Sequence, residues 1–248
     1  MANWSDPRID GGPQSTTTVG RGQVAVDAGL RAHMLSVYNY MSSGVLLTGI
    51  VALLFAQGGA DSLAARIFIG GGLLKWVVML APLGLVFWLS FGINRMTETT
   101  AKVVFWSYSA LMGASLSFIF LVYTGGSIAL TFFATSAAFA SLSLWGYTTK
   151  KDLSGWGSFL LMGLVGLIVA SIVNVFWMND TFSLAIAAIG VLIFAGLTAY
   201  DTQKIKSLYF QLAGTQFLGK AAIMGALQLY LDFINIFLFL LRFLGSRD

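Results

Sequence analysis

Seven apolar runs constrain this chain more than anything else in its sequence. They cover residues 35–56, 73–93, 103–123, 127–145, 157–177, 182–205 and 225–243. Each is close to the ~20 residues an α-helix needs to cross ~30 Å of hydrocarbon. Only 10% of the residues are charged and the mean hydropathy is +0.82, whereas a soluble domain carries about 25% charge. The chain therefore reads as an all-α membrane protein with seven transmembrane helices. The helix is the expected spanning form because lipid offers no partner to backbone polar groups. Gly125-Gly126 supplies the turn that divides the third run from the fourth.

Composition excludes several functions. The chain has no cysteine, which rules out a disulfide framework or a thiolate metal site. A single histidine, His33, rules out a His-rich metal site; at the edge of the first run it reads as an interfacial polar residue. No dense basic patch with interleaved aromatics lies outside the apolar runs, so nucleic acid is not an expected partner. The lipid bilayer is.

Residues 1–33 carry Asp6, Arg8, Asp10, Arg21, Asp27 and Arg31 among Gly, Ser and Thr. They read as a mobile N-terminal tail, without the layout of a signal peptide, followed by a transmembrane domain over 34–248. From about Val24 the tail is expected to form a short surface helix. With seven spans, ten Lys and Arg fall on the side of the N-terminus, in the tail and in the loops holding Arg95, Lys102, Lys150, Lys151, Lys204, Lys206 and Lys220. The other side holds Arg66, Arg242 and Arg247. The bias places the N-terminus in the cytoplasm and the C-terminus outside. Small residues within the spans, such as Gly44, Gly113 and Gly190, allow close helix approach.

Two acidic residues stand where hydrocarbon is expected. Asp201 lies in LTAYDTQKIK (197–206) and Asp232 in LQLYLDFINIF (227–237). An ionisable group inside a membrane is costly and marks a functional site by default. Asp201 falls about one turn inside the basic boundary of the sixth run and Asp232 about two turns into the seventh, which runs in the opposite direction. The two carboxyls are thus expected at comparable depth. Gln228 and Asn235, at i−4 and i+3 from Asp232, share its helix face, and Gln203 follows Asp201 closely. Carboxyls in contact favour holding one proton between them, and the titration belongs to the pair. Fully ionised, the pair would attract a cation. Ca²⁺ takes six to eight oxygen ligands, so two carboxylates would form only a transient site. Arg95, at the same end of the bundle, is a candidate latch for one carboxylate. No nucleophile, metal or cofactor machinery accompanies the aspartates, so neither an enzyme nor a resident cofactor is expected.

The blocks AYDTQKIK and LYLDFINIFLFLLRFLG, with the segment FGINRMTETTAKVVFWSYSALMGASLSFIF, resemble bacterial members of the Bax inhibitor-1 family, also called the transmembrane Bax inhibitor motif family. The resemblance implies a seven-helix bundle with the last helix central and the other six around it. It implies location in the bacterial inner membrane. One bacterial member is a pH-sensitive calcium leak, and its proton-sharing aspartates match Asp201 and Asp232. Its closing arginine matches Arg95, although this chain continues MTETT where that member has further basic residues. The interval between the aspartates is longer here, around 208–220. A second bacterial group is linked to a membrane-embedded AAA protease as substrate or modulator. Two functions follow as expectations: a Ca²⁺ leak opened as the pair loses its proton with rising cytoplasmic pH, or a partner of such a protease with the tail as its handle.

Overall fold

The computed structural model describes residues 16–247, with side chains from residue 28 onward. Eight α-helices follow in order: α1 (Thr16–Ala56), α2 (Leu63–Phe68), α3 (Leu73–Gly92), α4 (Glu98–Leu116), α5 (Gly125–Thr148), α6 (Ser154–Trp177), α7 (Asp180–Leu212) and α8 (Leu218–Leu244). All but α2 are long and apolar enough to cross a membrane, so the molecule is an all-α, seven-span membrane protein. Alternation of the spans divides the charged residues as expected. One end, the basic end, carries Arg95, Lys102, Lys150, Lys151, Lys204, Lys206 and Lys220, and the opposite end carries Arg66, Lys75 in the first turn of α3, Arg242 and Arg247.

Local chemistry sets where the helices start. Ser62, Thr97, Thr124 and Asn179 each precede a helix, and each side chain accepts a hydrogen bond from a backbone N–H in the first turn. That satisfies donors that no helix can pair internally. At the end of α6, Met178 turns left-handed (φ 47°) while its N–H still donates to the Asn174 carbonyl, which reverses the chain into α7.

The last helix is the axis. In its most apolar 18-residue stretch 61% of the residues are buried, against 11% in that of α3, and α8 packs on α1, α4, α5 and α7. Its Tyr230 hydroxyl lies 2.6 Å from Thr48 Oγ1 of α1. Thr48 in turn donates to the Gly44 and Ser109 carbonyls, so Tyr230 is the donor to Thr48. The rings of Phe105 and Tyr108 meet Tyr230 edge-on at 6.1 and 5.5 Å. Close approach depends on small residues at defined points: a Cβ at Gly113 would meet the Thr48 backbone, and one at Gly146 would meet the backbone of Ala199. Beyond α8 the chain is tied to the α4–α5 link. Thr124 N–H donates to the Ser246 carbonyl, Ser246 N–H donates to Ser127 Oγ, and Arg247 lies over the Tyr123 ring.

The helices outrun the apolar pattern at the basic end. α7 continues to Leu212 instead of stopping at 205, and α8 begins at Leu218 instead of 225, so the polar interval between them is mostly helix and only 213–217 links them. α1 begins at Thr16, far upstream of 35; no proline follows Pro13 until Pro82, so nothing interrupts it. The extensions cover each other. Tyr209 of α7 is buried against α1, its ring 5.6 Å from that of His33, and a Cβ at Gly29 would strike its hydroxyl. His33 is accordingly buried and not interfacial, and its Nε2 has no hydrogen-bond partner. Residues 1–15 of the expected tail lie outside the described residues.

Candidate functional site

The seam between α7 and α8 carries the two aspartates. On α7, Gly190, Phe194 and Ile205 face α8: a Cβ at Gly190 would lie 2.7 Å from the Phe239 ring, the Phe194 ring lies tilted against Phe239 at 5.9 Å, and Ile205 meets Gly225. Asp201 stands seven residues after Phe194 and four before Ile205, on that same stripe. On α8, Gly225, Ile236 and Phe239 face α7, and Asp232 falls between them in the same helical phase. The antiparallel contacts Ile205–Gly225 and Gly190–Phe239 fix the register. In it Asp201 lies level with about Leu229, and Asp232 about three residues further along, an axial offset of about 4.5 Å.

Asp232 is 4% exposed, and its Oδ2 has no hydrogen-bond partner. Buried polar atoms are nearly always paired, so this oxygen is an unmet acceptor inside an apolar seam. Asp201 is half-buried. In that register the two aspartates stand on the facing stripes of α7 and α8. Lys204, one turn on along the same helix, is exposed.

The remaining sequence candidates do not converge on the pair. Gln228 and Asn235 are half-buried, and the Asn235 amide donates to the Leu231 carbonyl of its own helix at 2.8 Å. Gln203 faces elsewhere: its amide donates to the Lys151 carbonyl and accepts from Leu153 N–H, both at 2.8 Å. It straps the α5–α6 loop to α7. Arg95 is exposed in the 3₁₀ turn after α3. The one ion pair among the described residues is Lys102–Glu98, so the expected latch from Arg95 to a carboxylate is not formed in this structure; the turn ends the helix with the side chain outward.

One element of the site was not expected. Tyr38 of α1, Ser143 of α5 and Thr202 of α7 form a hydroxyl chain, with contacts of 2.6 and 2.9 Å. Thr202 donates to the Thr198 carbonyl. It must therefore accept from Ser143, which in turn accepts from Tyr38. The chain crosses three helices beside Asp201. Its members are single hydroxyls spread over apolar runs, and only the adjacency of Thr202 to Asp201 hints at it in the sequence.

Among the described residues no group of three or more His, Cys, Asp or Glu could hold a metal. Two carboxylates fall well short of the oxygen shell that a resident Ca²⁺ needs.

The sequence model of the family described as "Inhibitor of apoptosis-promoting Bax1" matches residues 30–248. The chain is 48% identical over 222 residues to an uncharacterized protein of Rickettsia prowazekii, covering 89% of this chain and 92% of the relative. It is 46% identical over 235 residues to an uncharacterized protein of Caulobacter vibrioides, covering 92% and 93%. It is 45% identical over 225 residues to the inner membrane protein YbhL of Escherichia coli, covering 89% and 94%.

Proposed function

Because the chain belongs to the Bax inhibitor-1 family, we propose that it is a proton-sensitive cation leak of the inner membrane, with Ca²⁺ as the conducted ion and Asp201 and Asp232 as the sensor. The observation that carries this reading is the buried Asp232 side chain, one oxygen unpartnered, on the stripe of α8 that packs against the stripe of α7 bearing Asp201. With one proton between them, the carboxyls leave α7 and α8 packed. Loss of that proton places two like charges in one apolar seam. The reading requires an opposing bias of about 3 kcal/mol, the size that two like unit charges reach near ~6 Å at an effective dielectric of ~20. A bias of that size shifts a two-state balance by about a hundredfold, and the same charge draws in a cation. In this reading the basic end faces the cytoplasm, so the pair responds to cytoplasmic pH. No catalytic reaction is part of it.

The test is flux. Protein reconstituted in liposomes loaded with a calcium dye should admit Ca²⁺ more rapidly as pH rises. Asp232→Asn, which keeps shape and removes the second charge, should flatten that profile. An Asp232→Asn protein that leaks with the pH response of the parent would remove the pair from the mechanism.

A further inference from the structure

A large cavity among the described residues lies away from the carboxyl pair. It is a groove of about 690 Å³ between α1 and α5, floored by Phe233 of α8. The two helices are tied by the Tyr38–Ser143 hydrogen bond and otherwise make little contact. The walls are apolar, with Met34, Met41, Val45 and Phe139 among them. Exposed Leu35, Leu46 and Leu144 form the rim on the bilayer side. A second cavity of about 380 Å³ continues it toward the opposite end and shares Val45, Phe132 and Phe233 with it.

The two ends of the larger groove differ. At the basic end it is closed by Arg31 and Tyr147. Lys206 sits behind Tyr147, its Nζ donating to the Tyr147 carbonyl at 2.8 Å and lying 5.0 Å from the ring. One cation, Arg31, and a phenol thus stand at the end of a mostly apolar groove, with a second cation on the far side of the phenol. Along α1 the lining runs from Arg31 to Leu46, about 22 Å at 1.5 Å per residue, more than the ~15 Å of one leaflet's hydrocarbon. The width is limited. The hydrogen bond that joins the walls at Tyr38 leaves no room for a helix, which is about 10 Å across.

We propose that this groove binds one anionic phospholipid, its acyl chain along α1 and α5 and its phosphate at Arg31. The occupant must be thin, apolar for the length of a leaflet, and negative at the basic end. A bilayer lipid entering between the rim leucines meets all three conditions. A hydrocarbon tail packs with the dispersion contacts that an empty apolar groove forfeits. The phosphate gains from a juxtamembrane cation at the lipid surface. The site borders the seam already described, through Phe233 beside Asp232 and through Ser143 bonded to Thr202, but its existence does not depend on the leak.

Native mass spectrometry of the full chain, delipidated in detergent and incubated with phosphatidylglycerol or phosphatidylcholine, tests it. The parent should retain one phosphatidylglycerol in preference to phosphatidylcholine. Arg31→Gln should reduce that preference about fivefold. Ala140→Trp and Ser42→Trp place an indole in the groove from its two walls and should abolish retention of either lipid. Val175→Trp, on the exposed face of α6, should not. Having a filling variant on each wall keeps the test decisive if one of them fails to fold. Absence of a retained lipid in the parent, retention that survives both filling variants, or equal loss in Val175→Trp would overturn the proposal. A parent that holds both lipids equally would overturn the headgroup site.

Discussion

Ser143→Ala should cost more than the loss of one surface hydroxyl, and the structure says by how much. Ser143 is 3% exposed and makes two hydrogen bonds, accepting from Tyr38 and donating to Thr202. Thr202 keeps its own bond to the Thr198 carbonyl, so removing Ser143 strands mainly the Tyr38 hydroxyl. Interhelical hydrogen bonds in membrane proteins contribute about 0.6 kcal/mol each on average. Two lost bonds cost about 1.2 kcal/mol, which for a chain of this size lowers the thermal midpoint by about 3–5 °C. Tyr38→Phe removes only one bond, about 0.6 kcal/mol. The double variant loses the same two bonds as Ser143→Ala but strands no hydroxyl, so it should be no worse than Ser143→Ala alone. The assay is thermal unfolding in one detergent for the four proteins of the cycle. Costs that add within about 0.3 kcal/mol, as independent sites do, would refute a connected chain.

Other outcomes follow from the packing and the exposure described above. Gly146→Leu forces a side chain into the Ala199 backbone, so it should destabilise by about 1–3 kcal/mol, read as a lower unfolding midpoint. Arg95→Gln should leave the pH profile of Ca²⁺ flux unchanged, since Arg95 is exposed and pairs with neither aspartate; a shifted profile would restore the latch. The chain contains no cysteine, so single substitutions report topology without background. An impermeant maleimide applied to intact spheroplasts should label Gly58→Cys and spare Lys151→Cys, and the reverse pattern would invert the proposed orientation.

The seven spans were legible because the bilayer imposes their length on the sequence directly. The aspartates were legible for a related reason: a carboxyl in hydrocarbon has few harmless explanations, and helical phase alone puts each on the face its neighbours bury. The ends of α1, α7 and α8 were not legible. Hydropathy reports where lipid stops, whereas the helices end where tertiary contact stops, as Tyr209 against His33 illustrates. α2 escaped notice because six residues carry no periodic signal, and only its cap at Ser62 marks it. Arg95 was assigned a partner from its depth and from the family resemblance, and neither fixes the direction in which its side chain points. The hydroxyl chain and the groove arise from three helices meeting or diverging, which no single run of sequence encodes.

The lacing of Ser246 to Thr124 and Ser127 makes the last helix a lever with a fixed fulcrum. Asp232 sits fourteen residues from that fulcrum, about 21 Å, and Gly219 about 40 Å. A sideways step of about 2 Å at the aspartate is a tilt of only some 5°, yet it becomes about 4 Å at Gly219 by the same helical rise. There the Glu98 carboxylate crowds Gly219, and Lys220 reaches toward the Asn94 carbonyl. Whatever pushes the helix at mid-depth is therefore felt, doubled, at the α3–α4 turn.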